Sequence, residues 1–162
     1  MNRIESFSID HDDLLSGIYV SRTDKVGNGI ATTFDIRMLR PNIEPAMDTG
    51  AIHAVEHIGA TFLRNYDAIS DKMIYLGPMG CRTGFYLILA GEYESKDIVW
   101  VVEDMINFII DFEDEVPGAA SNECGNYVDL NLDLAKYYAR KYKAEFLDCV
   151  SEKQLVYGGQ NE

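Results

Sequence analysis

The run Lys96–Asp114, KDIVWVVEDMINFIIDFED, places apolar residues at Ile98, Val101, Val102, Met105, Ile106, Ile109 and Phe112. Steps of three and four put all seven on one stripe of an α-helix, and Ser95 is a suitable N-cap. A helix with one such stripe must lay it against another element. Two weaker helices share the need. Thr49 to about Tyr66 carries Ile52, Ala54, Val55, Ile58 and Phe62 at helical spacing, with Asp48 or Thr49 to cap it. The second runs from about Leu132 to Cys149, capped by Asn131. The surface that takes these stripes comes from segments rich in β-branched and aromatic residues: Gly17–Thr23, Gly29–Arg40, Lys72–Gly77 and Thr83–Tyr93. Arg40–Pro45 breaks the second. Because these strands join as antiparallel neighbours and do not alternate strictly with helices, the expected class is α+β: an antiparallel sheet of about four strands with helices packed on one face.

A chain of 162 residues, 47% apolar and 25% charged, predicts one globular domain over 1–162. Its four prolines are scattered between periodic segments, and no linker or repeat divides it. The final SEKQLVYGGQNE reads as a frayed tail. Fourteen Lys and Arg against twenty-seven Asp and Glu leave a net charge of −13, which disfavours nucleic acid and anionic membrane surfaces as partners. Apolar runs such as Phe85–Ala90 are far below the roughly 20 residues that cross a bilayer. The opening MNRIESFSIDHDD carries charges where a signal peptide needs an apolar core, so the expected compartment is the cytoplasm. There the three cysteines remain thiols, available as ligands or reactive groups.

All three histidines are His11, His53 and His57, and two lie in His53-Ala54-Val55-Glu56-His57 on the first helix. Positions i and i+4 stack on one helical face, so both imidazoles can address one cation with Glu56 beside them. H-x-x-E-H is also the inverted zincin order of the inverzincin peptidases, where the glutamate is a general base. A pair of surface histidines with a carboxylate neighbour is the plain alternative. A catalytic site of this type needs a third protein ligand and an open position. Cys124, followed by Gly125 in a polar loop, is a candidate, with an ordinary loop thiol as its alternative. Cys149, near the end of the last helix, reads as a core or boundary thiol. Cys81 sits on the turn Gly77–Arg82, where Arg82 and a nearby cation would lower its pKa; a small residue that merely fits is the competing reading.

Five ordered segments carry a family resemblance: SFSIDH at Ser6–His11, FDIRMLRPN at Phe34–Asn42, HAVEH at His53–His57, GPMGCRTGFY at Gly77–Tyr86 and ECGNY at Glu123–Tyr127. Over most of its length the chain resembles the S-ribosylhomocysteine lyases, the LuxS proteins, which form the precursor of autoinducer-2. That resemblance implies a carbon–sulfur lyase that splits S-ribosylhomocysteine into homocysteine and 4,5-dihydroxy-2,3-pentanedione. It implies His53, His57 and Cys124 as metal ligands, and Glu56 and Cys81 as the two acid/base residues. Ser6, His11 and Arg37 would hold the substrate. It further implies Fe(II), replaceable by zinc or cobalt, and a homodimer whose two chains share each site. Two positions depart from the family pattern. Tyr75 stands where many members have an acidic residue, and Asp129-Leu130-Asn131 stands where many carry a histidine. Outside the resemblance, an inverzincin-type peptidase and a non-catalytic, metal-stapled dimer module remain as alternatives.

Overall fold

A computed structural model describes residues 9–158. Four strands, β1 (Gly17–Val26), β2 (Gly29–Arg37), β3 (Met73–Pro78) and β4 (Gly84–Ala90), form one antiparallel sheet in the order β1-β2-β4-β3. The helices α1 (Thr49–Asn65), α2 (Val99–Asp111) and α3 (Leu132–Glu145) complete the α+β fold expected from the sequence. β2 stops at Arg37, three residues short of the expected end, because the amides of Met38 and Leu39 both turn to the Thr83 carbonyl at 3.0 Å. β4 ends at Ala90, and Gly91 follows at φ 123°, a conformation open to glycine. Ser95–Ile98 forms a 3₁₀ turn that leads into α2, so the α-helix starts later than the Ser95 cap predicts.

The register sorts side chains onto two faces. Ile18 pairs with Ile36 and Ile36 with Phe85; Phe34 pairs with Leu87, and Leu87 with Leu76. These residues are buried in one core with Val55, Ile58, Val102, Ile106 and Ile109, so the apolar stripes of α1 and α2 cover this face. α1 lies close: a Cβ on Gly59 would stand 2.9 Å from Leu76 and 3.1 Å from the Met105 sulfur.

The opposite face carries Tyr19, paired with Asp35, and Asp35, paired with Tyr86. Here Tyr19 packs with Leu14 and Ile9 from the N-terminal side and with Tyr157 from the C-terminal segment. Residues 151–158 are therefore a packed strap and not the frayed tail expected. Gln154 donates to the Ser16 carbonyl at 3.0 Å, and Tyr157 is 4% exposed. α3 ends at Glu145, and Leu147–Cys149 is a separate 3₁₀ turn that leaves Cys149 exposed, contrary to its expected place in the core or at its boundary. Among the described residues, no helix is long and apolar enough to cross a membrane.

Candidate metal centre and thiol site

α1 begins where the Asp48 carboxylate accepts from the amides of Gly50 and Ala51, at 3.0 and 3.1 Å. One turn on, His53 and His57 share a face, their rings 4.6 Å apart and nearly perpendicular. The loop after α2 comes to meet them. Its return is fixed at Gly50, whose carbonyl accepts from Asn131 at 3.0 Å and whose missing Cβ would otherwise stand 2.1 Å from the Asp129 oxygen. That close approach sets Cys124 over the first helical turns, with its sulfur 3.4 Å from His53 Nε2. The ligand atoms of His53, His57 and Cys124 lie within 4.8 Å of one another, and among the described residues no carboxylate joins the group. Bond lengths of about 2.0–2.3 Å in a tetrahedral site set ligand atoms about 3.5 Å apart, so the three residues fit one cation.

Further contacts prepare them. His57 Nδ1 donates to the Pro117 carbonyl at 2.6 Å, which leaves Nε2 free of its proton for a metal. The turn closes on the ring: Gly118, at φ 76°, has no Cβ, and one there would lie 3.1 Å from His57 Nδ1. The Asn126 amide points at the Cys124 sulfur at 3.4 Å. Glu56 stands beside the pair, one carboxylate oxygen 3.8 Å from His57 Nε2, its side chain 29% exposed.

Cys81 belongs to a second group. It is exposed on the β3–β4 turn, whose Arg82 adopts φ 57°. Arg82 turns away to the Met47 carbonyl at 3.2 Å, so it is not the cation expected to act on Cys81. Arg37 takes that part. Its Nη1 donates to Thr83 Oγ1 at 2.5 Å and lies 3.8 Å from the Cys81 sulfur, while Thr83 Oγ1 is 3.1 Å from the same sulfur. Burial pushes the Cys81 thiol up, but the Thr83 hydroxyl and amide and the Arg37 charge outweigh it and hold the thiol below its ordinary value. Arg37 itself is 2% exposed, and its Nη2 donates to Asp35 at 2.5 Å. His11, with Nδ1 on the Ile9 carbonyl at 2.9 Å, is near enough for its charge to act on Asp35. Ser6 lies outside the described residues. Among those described, no hydrogen bond or ion pair joins the Cys81–Arg37 group to the His53–His57–Cys124 group. Tyr75 is half exposed on β3 with its ring laid across Gly77.

Sequence reasoning did not single out Asp35, Thr83, Pro117 or Tyr157. The first two had a signal, since Asp35 and Arg37 share a strand face at i and i+2, and Thr83 stands two residues after Cys81. Pro117 and Tyr157 had none, because only the tertiary fold brings them near.

The family model for S-ribosylhomocysteinase (LuxS) matches residues 4–153. The chain belongs to this family. Among relatives of the LuxS family, the S-ribosylhomocysteine lyase of Clostridium beijerinckii is 55% identical over 157 residues, 97% of this chain and 99% of the relative. Those of Borreliella burgdorferi and Finegoldia magna are 53% and 51% identical with the same coverage. A LuxS fold with a metal-ready His-His-Cys cluster fits metal dependence, and Cys124 occupies the place for which an inverzincin peptidase would need a carboxylate.

Proposed function

We propose that this chain is an S-ribosylhomocysteine lyase, releasing homocysteine and 4,5-dihydroxy-2,3-pentanedione from its substrate. The observation that carries the reading is the convergence of His53, His57 and Cys124 on one point beside Glu56, in a chain matched along nearly its whole length to lyases of this family.

The thioether of S-ribosylhomocysteine adjoins an unactivated carbon and does not leave unaided. Opening of the sugar gives a carbonyl, and proton shifts move it along the chain until loss of a proton beside it expels the sulfur at the β position. Each shift requires a group that takes a proton from one carbon and returns it to the next. Glu56, partly exposed at the edge of the cluster, is assigned one such role. Cys81, held toward its thiolate by Thr83 and Arg37, is assigned the other. When bound, a divalent ion supplies Lewis acidity toward the substrate's oxygens. Two imidazoles and a thiolate suit Fe(II), zinc and cobalt alike, and we assign Fe(II) as the working ion, one per chain. Ser6, His11 and Arg37 are assigned to holding substrate.

Glu56 and Cys81 belong to separate groups within the chain, which supports a homodimer in which the metal group of one chain meets the thiol group of the other. Neither the net charge nor, among the described residues, any helix calls for nucleic acid or a membrane, and the free thiols suit a reducing cytoplasm. The deciding experiment incubates anaerobic, Fe(II)-loaded protein with S-ribosylhomocysteine and titrates new thiol. Stoichiometric thiol release is expected; none would overturn the reading.

A further inference from the structure

Asp35 and Arg37 form a buried ion pair, 1% and 2% exposed, that is joined in an unusual way. A carboxylate and a guanidinium ordinarily meet through two parallel bonds. Here one bond, Nη2 to Oδ2, carries the pair, while Arg37 Nε and Asp35 Oδ1 are both buried and unpartnered among the described residues. A donor and an acceptor that could satisfy each other are left apart. Buried polar atoms are rarely left so, and something must hold the pair out of its two-point arrangement.

Two contacts do this from opposite ends. Thr83 holds Arg37 Nη1 at 2.5 Å, and the Tyr157 hydroxyl donates to Asp35 Oδ2 at 2.9 Å. Tyr157 arrives on the C-terminal strap, 122 residues from Asp35, and is fixed there by stacking on Tyr19 with ring centroids 4.7 Å apart and planes 7° from parallel. Its phenol anchors the very oxygen that Arg37 Nη2 uses. We propose that Tyr157 is a positioning residue for Cys81: by confining Asp35 to one point of contact with Arg37, it keeps the guanidinium turned toward Thr83 and the Cys81 sulfur. Without the hydroxyl, the carboxylate is free to take Nε as well, and rotation into the two-point fork draws Nη1 away from Thr83 and Cys81. The thiol then loses its cation and the polarised hydroxyl between them.

Arg37 from β2, Thr83 from the turn before β4 and Tyr86 from β4 act on Cys81, while Tyr157 from the strap, Tyr19 from β1 and His11 from the N-terminal side act on Asp35, the partner of Arg37 on β2. Burial and the Asp35 charge push Tyr19, Tyr86 and Tyr157 upward, so these phenols stay neutral while Cys81 titrates, and the guanidinium is the group whose orientation changes.

This inference rests on the proposed role of Cys81, but its test uses no substrate. Cobalt-loaded full-length protein is alkylated with iodoacetamide from pH 5 to 10, and modification of Cys81 is followed separately from Cys124 and Cys149 by peptide mass. Tyr157→Phe keeps the stacking and removes the hydroxyl. It is expected to move the Cys81 midpoint up by about half a unit, which slows alkylation about threefold at pH 7. In an Asp35→Asn background, where no carboxylate can capture Nε, the same substitution is expected to leave the midpoint unmoved. An unchanged midpoint in Tyr157→Phe overturns the proposal, as does a shift that persists undiminished in the Asp35→Asn protein. Failure of wild-type protein to release thiol from S-ribosylhomocysteine would instead strike the lyase reading and leave these titrations standing.

Discussion

Cys124 and Glu56 lie beside the same two imidazoles, yet their replacement should have opposite signatures. Serine in place of Cys124 keeps the loop but not a thiolate, so Cys124→Ser should lower metal affinity by more than the roughly 10- to 100-fold that an outer partner costs. Glu56→Gln should keep its metal and lose about a hundred- to ten-thousand-fold in homocysteine release. Metal content by elemental analysis and thiol titration separate the two. Cys81 offers a pH test. The Thr83 hydroxyl is a main cause of its lowered pKa, so Thr83→Val should carry the alkylation profile of Cys81 to higher pH, leaving less thiolate at neutrality. A profile that stays in place would discount Thr83. At this scale the sequence was informative where chemistry repeats locally: two histidines and a glutamate within five residues of a helix declare a common face. Cys124 was only one candidate among loop thiols until the fold had brought it to His53, 71 positions away along the chain. The cation acting on Cys81 was misassigned to its neighbour Arg82, because adjacency along a turn says little about direction when φ is 57°.

The elements succeed as a platform because α1 begins against another backbone. Gly50 lets the Asp129 oxygen approach within a distance no side chain tolerates, and the Asn131 amide closes the contact. Gly50→Ala places a methyl group 2.1 Å from that oxygen. Relief requires the loop to retreat, at a cost of about 1–3 kcal/mol by analogy with overpacked cores, and Cys124 retreats with it. The expected outcome is a lower denaturation midpoint together with weakened cobalt binding, read from the thiolate-to-metal absorption band. Unaltered binding would show that the loop is held elsewhere. Helix periodicity and strand alternation made all seven long elements legible in the sequence. Their ends were less so, since β2 is cut short by the Thr83 carbonyl from the turn before β4, a contact made only after chain reversal, and α2 is preceded by a 3₁₀ turn. The strap through Tyr157 escaped detection for the same reason: its short polar-rich sequence has no period, and its burial comes from Tyr19 and Ser16.

For the whole molecule, a site divided between two chains makes a quantitative prediction. Glu56→Gln and Cys81→Ala proteins, each nearly inactive, are mixed and allowed to exchange subunits. In the mixed dimer one site receives both substitutions and the other neither, so activity should recover to about a quarter of wild type. No recovery, with exchange verified by mass, would place both groups of one site in one chain. The strapped face of the sheet has a consequence for anyone labelling this protein. Ile9 and Leu14 approach Tyr19 from the N-terminal side and Tyr157 approaches it from the C-terminal segment, so a dye attached at Ile9 or Tyr157 would disturb the packing around Tyr19. The hairpin tip at Gly27 is at the far end of a nine-residue strand, about 30 Å from the Gly17–Arg37 pair, and is the sounder attachment point.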